Sequence, residues 1–330
     1  MKAAFIRQPG PPESIIYGDL PDPTPAPTHC LVRVGAVALN PVDTYIRSGA
    51  VPMNLPSPFV VGCDLAGTVV EVGDKVRRFR EGDRVWGSNQ GLLGRQGTFS
   101  ELVAVDQEWL YPSPAGIADE DVAAVALVGI TAHLGLFREA RLREHETLFV
   151  NGGAGGVGSM VVQLARAVGA RVITTAGNED KAELCRRLGA HGVINHRTED
   201  VSQVLRSLAP GGVQVWWETL REPDFDRAIA ALAPRGRMIL MAGREARPPF
   251  PVGPFYVKGC SVHGFVMFMA TPEEQRACAE DINRWLVDKR VRANIDRVLP
   301  LSQAADAHRL QEESTIKRTG LLHGKIVLRP

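Results

Sequence analysis

The sequence predicts an α/β protein of two domains, a β-rich domain followed by a doubly wound parallel sheet. The first observation is length, because 330 residues exceed what one ordinary hydrophobic core accommodates. The second is a change of pattern near residue 121, from short β-branched runs to strands that alternate with helical segments. The third is the glycine-rich stretch NGGAGGVG at 151–158, which directly follows the apolar run ETLFV.

The first 120 residues are predicted to be β-rich. Short runs of β-branched residues are separated there by Gly, Pro and Asp turns. The four prolines of PDPTPAPTHC predict an extended connector, because proline fixes φ and lacks an amide donor. The predicted strands are HCLVRVGAVAL (29–39), DLAGTVVEVG (64–73), GDRVWG (82–87) and FSELVAV (99–105).

From residue 121 the apolar spacing becomes helical. The segment EDVAAVALVGITAHLGLFREA (120–140) predicts a helix that leads into the strand ETLFV. After the glycines, Gly169 ends a helix and Asn178 caps the next one. Strands and helices then alternate as far as the strand RMILMAG (237–243), which predicts βαβ units and a parallel sheet.

The last segment mixes a helix with strands, and we expect it to return to the first domain. The predicted domains are therefore residues 1–122 completed by 267–330, and residues 123–266. Within the second domain, the apolar stretch RPPFPVGPFYVKGCSVHGFVMF (247–268) predicts strands near the edge of the sheet.

Composition limits the function classes. A hydrophobic content of 45%, 23% charged residues and a net charge of +1 give no reason to expect nucleic acid or a membrane surface as a partner. Apolar runs of about 18 residues are absent, and the start MKAAFIRQPG lacks a signal-peptide core. The five cysteines are scattered and form no C-x-x-C, which favours reduced thiols and a cytoplasmic location.

The glycines have the spacing of a dinucleotide-binding turn. Gly153, Gly155 and Gly158 form G-x-G-x-x-G between a predicted strand and a predicted helix. The first glycine permits the turn, the second lets a pyrophosphate reach the backbone, and the third lets helix and strand pack closely. The helix dipole favours the phosphates. The alternative is a glycine-rich turn without a ligand.

The second strand indicates which dinucleotide is bound. A NAD site usually has an acid at the end of this strand, but here the strand ends in Thr175, Ala176 and Gly177. Glu179 and Asp180 follow in the first helical turn, where acids commonly interact with the helix dipole. Lys181 and the segment NHR (195–197) could surround a 2′-phosphate, or they could be solvated surface charges. The pattern favours NADPH.

The chain resembles the zinc-free, zeta-crystallin-like quinone oxidoreductases of the medium-chain dehydrogenase/reductase superfamily over nearly all its length. The resemblance implies a GroES-like β domain for the substrate, a Rossmann domain for the cofactor and a cleft between them. The motifs that carry it are NPVDTYIRSG (40–49), GCDLAGTVVEVG (62–73), EGDRVW (81–86), GGAGGVG (152–158), TAG (175–177), INHR (194–197) and GKIVL (324–328).

The residues expected at a zinc site are missing. Zinc members of the superfamily carry a Cys where this chain has Asn40, and Gly-His-Glu where it has Gly62, Cys63 and Asp64. A catalytic zinc needs about three Cys, His or carboxylate ligands. The stretch 65–184 also lacks cysteine, so a four-cysteine structural zinc lobe is excluded. We therefore expect no metal.

The resemblance also implies roles for individual residues. Asn40 and Tyr45 would line the cleft beside the nicotinamide, and Thr131 would hydrogen-bond its carboxamide. Tyr45 could donate a hydrogen bond to the acceptor or merely pack, and the Thr131 hydroxyl could instead bond within its own helix. The implied contacts are Ala154, Gly155, Gly156 and Val157 with the pyrophosphate, Gly177, Lys181 and His196 with the adenosine phosphate, Met241, Ala242, Gly243 and Arg244 along the ribose, and Phe265, Val266 and Met267 with the nicotinamide.

The sequence thus predicts an NADPH-dependent quinone reductase that needs no metal, because a conjugated carbonyl is already electrophilic. One alternative is a reductase of activated C=C bonds, in 2-alkenals or enoyl thioesters. Another, of a different class, is a non-catalytic NADPH-binding structural or regulatory protein. The resemblance further implies a homodimer in which the edges of two cofactor domains pair about a twofold axis.

Overall fold

The computed structural model describes residues 1–317 and 319–330. It divides into two compact units, residues 1–127 with 270–330 and residues 128–269. The first unit is built on antiparallel strands and the second on a parallel sheet. The chain is therefore α/β, with a β-rich unit and a doubly wound unit, and the fold class predicted from the sequence is confirmed.

The first part of the chain supplies most of the β-rich unit. Its strands are short because turn residues interrupt them, as the sequence predicts. The elements are β1 (Lys2–Ile6), β2 (Ile16–Asp19), β3 (His29–Leu39), α1 (Pro41–Ser48), β4 (Phe59–Val60), β5 (Asp64–Val72), β6 (Arg84–Gly87), β7 (Leu102–Asp106), β8 (Leu110–Pro112) and α2 (Asp119–His133).

Strand β3 is the centre of this unit. It pairs antiparallel with β5 and with β7, and ten of its eleven residues are buried or half-buried. Gly67 on β5 allows the close approach to β3, because a Cβ there would lie 2.1 Å from the carbonyl oxygen of Arg33. The strands predicted over 29–39 and 64–73 are thus confirmed, and the structure pairs them in one sheet.

Helix α2 continues in π-helical turns over Leu134–Glu139. By length and composition, Asp119–Glu139 could cross a membrane, but 78% of its most apolar window is buried inside the protein. Packing therefore accounts for its apolar character.

The second unit contains the predicted βαβ alternation. The strand order is β11-β10-β9-β12-β13-β14, and the adjacent strands run parallel. The order reverses between β9 and β12, as in doubly wound folds that bind dinucleotides. The elements are β9 (Thr147–Asn151), α3 (Gly156–Ala167), β10 (Arg171–Ala176), α4 (Glu179–Arg187), β11 (Gly192–Asn195), α5 (Val201–Leu208), β12 (Val213–Glu218), α6 (Phe225–Ala231), β13 (Leu232–Leu240), α7 (Val252–Val257) and β14 (Ser261–Gly264).

Helix α7 corrects part of the sequence interpretation. The stretch 247–268 was expected to supply strands, but its VGPFYV segment is helical, and SVHG forms the edge strand β14. The ring of Phe255 in α7 lies 5.0 Å from the ring of Phe250, which lies 5.0 Å from that of Phe225. Tertiary packing of aromatic rings thus outweighs the β propensity of the aromatic and β-branched residues.

The last part of the chain returns to the first unit. Strand β16 pairs with β15 and, antiparallel, with β3, so that the end of the chain completes the central sheet. The elements are α8 (Pro272–Val287), β15 (Ile295–Pro300), α9 (Ala304–Thr315) and β16 (Lys325–Arg329).

Candidate functional site

Most of the residues predicted to contact the cofactor lie at one edge of the parallel sheet, whereas Tyr45 belongs to the first unit. Each group follows the carboxyl end of a strand, and in parallel sheets these ends share one edge, where ligands bind near the point at which the strand order reverses. The structure brings together there Ala154–Val157 after β9, Gly177 after β10, His196 after β11, Met241–Arg244 after β13 and Phe265–Met267 after β14.

Glycine stands at the three motif positions for different structural reasons. A Cβ on Gly153 would lie 2.2 Å from the Thr174 hydroxyl oxygen, and one on Gly158 would lie 2.1 Å from the Gly152 carbonyl oxygen. A Cβ on Gly155 would come no closer than 3.7 Å to any atom that the structure describes, and its φ is −74°. Packing therefore requires Gly153 and Gly158, whereas Gly155 leaves its backbone open to an approaching group.

Gly155 is also the N-cap of α3. Among the described residues, side chains cap α4, α5 and α6, through Asn178, Asp200 and Asp224, but none caps α3. Its first turn, GVGS, consists of neutral residues. The start of α3 therefore has neither a capping side chain nor an acid in its first turn, which suits a phosphate.

Basic side chains converge on Gly177. A Cβ built there would lie 3.4 Å from the His196 Nε2 and 3.7 Å from the Arg197 Nε. Burial and Arg197 lower the pKa of Lys181, and burial, Arg197 and Lys181 lower the pKa of His196. Since Arg197 disfavours the protonation of both Lys181 and His196, an anion among the three side chains would be stabilised. The cluster consists of Lys181, His196 and Arg197, and we call it the basic cluster.

The neighbouring acids have other partners. Strand β10 ends in Ala176, where a NAD site usually has a carboxylate. Glu179 accepts a hydrogen bond from Arg186 at 2.6 Å, and Glu199 accepts one from the Asn195 amide at 2.7 Å. Both carboxylates therefore stabilise the local structure through these hydrogen bonds.

A cavity of about 410 Å³ lies at this edge of the sheet. Its lining includes Gly152 of the turn, Thr175 of β10, His196 of the basic cluster and the acids Glu199 and Asp200. A dinucleotide pocket at this edge is expected to be concave and to carry a few convergent polar groups.

One polar group at this edge was missed by sequence reasoning. Glu218, at the end of β12, is 1% exposed. It accepts hydrogen bonds from Asn151 of β9 and from Trp216 of β12, the two strands between which the strand order reverses. The available signal was an acid that directly ends the apolar run VQVWW. A buried carboxylate needs partners, and here Asn151 supplies one at 3.1 Å.

Thr131 and Phe265 also lie in the second unit. Thr131 is 5% exposed and stands one turn before the π-helical segment. Gly135, in that segment, approaches Phe265 so closely that a Cβ would lie 2.9 Å from its ring. The Phe265 ring is also 6.4 Å from the Trp217 ring, so packing fixes its orientation.

Asn40 and Tyr45 belong to the first unit. Tyr45 is half-buried on α1, whereas Asn40, just before α1, is fully buried. The Asn40 amide nitrogen donates to Asp64 at 2.8 Å, and its oxygen accepts from Lys325. Burial raises the pKa of Asp64 and lowers that of Lys325, and each charge offsets part of the other's shift.

The chemistry of this cluster does not suit zinc. Burial raises the pKa of the Cys63 thiol well above its usual value, and the nearby carboxyl groups of Asp43 and Asp64 act in the same direction. A resident ammonium already lies 4.0 Å from Asp64. In residues 1–317 and 319–330, no group of three or more His, Cys, Asp or Glu is arranged to hold a metal. Independence from metal remains a prediction.

Two family models match the chain. The model described as "Alcohol dehydrogenase GroES-like domain" matches residues 26–115. The model described as "Zinc-binding dehydrogenase" matches residues 156–284. The first falls in the β-rich unit, and the second begins at the start of α3.

Similar proteins align over nearly the whole chain. The quinone oxidoreductase of Sus scrofa is 32% identical, covering 99% of this chain and 97% of the relative. That of Pseudomonas aeruginosa is 33% identical, covering 91% and 92%. A 2-haloacrylate reductase of a Burkholderia species is 29% identical, covering 93% and 94%.

Solved structures agree in fold along the full length. An "NAD-dependent alcohol dehydrogenase" superposes with a TM-score of 0.90 at 30% identity, covering 100% of both chains. The quinone oxidoreductase of Escherichia coli in complex with NADPH superposes with a TM-score of 0.86 at 27% identity, again covering 100% of both.

Proposed function

Since the chain belongs to the quinone oxidoreductase family of the medium-chain dehydrogenase/reductase superfamily, we propose that it reduces a quinone, or a similar conjugated carbonyl, with NADPH. The two relatives that align with it at 32% and 33% identity carry the name quinone oxidoreductase. The residues around the glycine turn supply independent support for the cofactor.

The observation that carries the proposal is the open backbone at Gly155. Packing within the protein leaves room for a side chain there, yet the position is glycine and caps a helix that begins with neutral residues. A pyrophosphate that must touch the backbone accounts for both facts, because the amides at the start of α3 would donate to it.

The choice of NADPH rests on the basic cluster. The solved neighbours differ in their cofactor, since one is an NAD-dependent alcohol dehydrogenase and another is a quinone oxidoreductase in complex with NADPH. This chain ends β10 in Ala176 and places His196 and Arg197 beside Gly177, and Lys181 is close enough to Arg197 for their charges to interact. Their positive potential would favour the 2′-phosphate, and no acid at the strand end would repel it.

The remaining predicted contacts follow the same edge of the sheet. We propose that Met241–Arg244 hold the ribose side and that Phe265–Met267 hold the nicotinamide, whose carboxamide Thr131 would bind. Bound NADPH would supply the hydride for reduction of the acceptor. The contribution of the protein is to hold donor and acceptor at a reactive distance.

Tyr45 is the residue that we propose for the acceptor. Its half-buried phenol on α1 could donate a hydrogen bond to the acceptor oxygen as negative charge develops there. Asn40 would act differently from the first expectation, because both ends of its amide are used within the protein. Its contribution would be to fix the start of α1, the helix that carries Tyr45.

A second candidate is reduction of an activated C=C bond. It is favoured by one observation, the 29% identity to a 2-haloacrylate reductase over 93% of this chain. Both reactions would use the same cofactor site, so the acceptor alone distinguishes them.

The test is stopped-flow oxidation of NADPH and of NADH against quinones, 2-alkenals, 2-haloacrylate and enoyl thioesters, each with and without a chelator. We expect the highest kcat/KM with NADPH and quinones, unchanged by the chelator. Faster turnover of alkenals or 2-haloacrylate would establish the second candidate. Binding of NADPH without oxidation by any acceptor would indicate a structural or regulatory protein.

We propose in addition a homodimer in the cytoplasm. Strand β14 lies at the edge of the parallel sheet, and nearby Tyr256 and Val257 are 69% and 75% exposed. An exposed edge with apolar neighbours is usually covered. The five cysteines are free and buried, as suits a reducing compartment. A monomer in sedimentation at micromolar concentration would contradict the dimer.

A further inference from the structure

The carboxylate of Glu218 is connected to the glycine turn by a continuous series of hydrogen bonds. The Gly152 amide donates to the Thr175 hydroxyl oxygen at 2.9 Å. That hydroxyl donates to the Asn151 side-chain oxygen at 3.1 Å. The Asn151 side-chain nitrogen then donates to both Glu218 oxygens at 3.1 Å. The series crosses the ends of β10, β9 and β12.

The direction of every bond in this series is determined. Both oxygens of the Glu218 carboxylate are acceptors, so the Asn151 side-chain nitrogen faces them and the Asn151 side-chain oxygen faces Thr175. Thr175 then donates its one hydroxyl proton to that oxygen and accepts from the Gly152 amide. Glu218 therefore orients the whole series.

The hydrogen-bond donors around Glu218 favour a carboxylate side chain over an amide at this position. Its Oε2 accepts from the Trp216 indole nitrogen at 3.1 Å, and its Oε1 accepts from the Leu220 amide at 2.8 Å. Since both oxygens face donors, a glutamine would turn its NH₂ toward a donor in either orientation. Glu218 is 1% exposed, so water would not restore the lost bond.

The end of the series that matters for function is Gly152. This residue has a φ of +94°, and its carbonyl oxygen accepts from the Gly155 amide at 3.4 Å. A second contact fixes the same turn from β12, because the Thr219 hydroxyl donates to the Asn151 carbonyl oxygen. The orientation of Gly152 therefore determines where the backbone of Gly155 lies.

We propose that Glu218 is a positioning residue for the cofactor, holding the glycine turn through Asn151 and Thr175 in the shape that receives the pyrophosphate. This inference rests on the proposed binding of NADPH. Glu218 acts through the other residues and does not contact the cofactor itself. Its loss should weaken NADPH and NADH alike, because both have the same pyrophosphate, and should leave the acceptor KM unchanged.

A matched control exists on the same two strands. The Gln214 side chain, at the opposite end of β12, accepts from the Thr147 amide of β9 at 2.8 Å. It therefore links β12 to β9 as Glu218 does, but far along the strands from the glycine turn. Gln214→Ala reports the cost of losing one such link without disturbing the turn.

The experiment measures the Kd of NADPH and of NADH by fluorescence titration of the full chain, with urea unfolding of each variant. Glu218→Gln and Thr175→Val should each raise both Kd values about tenfold, the loss expected for about one hydrogen bond. The double variant should be little worse than either single one, because both interrupt one series. Gln214→Ala should lower stability and leave both Kd values unchanged.

Several outcomes would overturn the inference. The inference would be wrong if Glu218→Gln or Thr175→Val kept the wild-type affinity for the cofactors. It would also be wrong if the effects of the two substitutions added in the double variant, or if Gln214→Ala weakened cofactor binding equally. Thr175→Val keeps the test decisive if Glu218→Gln fails to fold. A wild type that binds no NADPH would instead refute the proposed function, and the inference would fall with it.

Discussion

Lys325 donates a hydrogen bond at 2.5 Å to the side-chain oxygen of Asn40, 285 residues earlier in the chain. The same ammonium donates to the Leu39 carbonyl oxygen at 2.7 Å and lies 4.0 Å from Asp64. These side chains are buried in the first unit. Lys325 therefore neutralises buried negative charge and fixes the residue that precedes α1.

Removing this ammonium should destabilise the protein strongly. Lys325→Met leaves Asp64 buried without its counter-charge, which typically costs about 3–5 kcal/mol of unfolding free energy. Lys2→Met is the matched control, because Lys2 pairs with Asp19 at the surface, where solvent screens the pair, and its loss should change the stability little. Urea unfolding measures both. Equal losses would contradict the assignment, as would a Lys325→Met/Asp64→Asn double variant that recovers none of the stability.

Asp43 should make the stability depend on pH. Burial raises the pKa of Asp43 to about 7 from an ordinary value of 3.8. Between these values the folded protein keeps a proton that the unfolded chain has lost, so rising pH favours unfolding, by up to about 1.4 kcal/mol per pH unit.

The comparison uses Asp43→Asn, which cannot titrate and still offers the Asn40 amide an acceptor. From pH 4 to 7 the wild type should lose stability relative to the variant in urea unfolding. Parallel curves would mean that Asp43 is already ionised when folded. Asp64 and Lys325 are present in both proteins, so the difference between the curves reports Asp43.

Gly155 should tolerate a methyl group in folding but not in binding. Gly155→Ala places its Cβ at least 3.7 Å from described atoms at an ordinary φ, so Tm should be unchanged. The methyl would still keep a pyrophosphate from the backbone, and Kd for NADPH should rise about tenfold or more. Gly158→Ala is the contrast, since a Cβ 2.1 Å from the Gly152 oxygen should lower Tm. Unchanged affinity in Gly155→Ala would argue against a dinucleotide at this turn.

Lys181 should select between the two cofactors. Lys181→Ala removes a charge-assisted contact to the 2′-phosphate and should weaken NADPH by roughly 1–2 kcal/mol while leaving NADH unchanged. Arg186→Ala on the same helix is the control, because Arg186 pairs with Glu179. Equal weakening of both cofactors, or equal wild-type affinities for them, would remove the basis for assigning NADPH.

Variants of Tyr45 should distinguish a catalytic hydroxyl from a ring that only packs. If its hydroxyl binds the acceptor oxygen in the transition state, Tyr45→Phe should lower kcat about tenfold and leave the KM for NADPH nearly unchanged. If the ring only packs, Tyr45→Phe should keep full kcat, and Tyr45→Ala should raise the acceptor KM. Steady-state kinetics with one quinone distinguishes the two.

The sequence could predict the parts of the site that depend on local pattern. The glycine turn, the helix after it and the acid-free end of β10 each lie within a few neighbouring residues, and the structure places them together. The same holds for β3 and β5, whose β-branched runs are bounded by turn residues.

Glu218 and Lys325 could not be predicted in this way. An acid after VQVWW, or a lysine in GKIVL, has no visible partner until strand order sets β12 beside β9 and β16 beside β3. Helix α7 was misassigned for a similar reason, because the aromatic packing of Phe250 and Phe255 depends on distant residues.

The position of β16 has a consequence for synthesis on the ribosome. The second unit is a continuous segment, residues 128–269, so it can fold as soon as it has emerged. The first unit begins to emerge earlier, but β3 lacks its neighbour β16, and the acid beside Asn40 lacks its cation, until the segment that begins at Lys325 is translated. The part of the chain that is made first is therefore the part that finishes folding last.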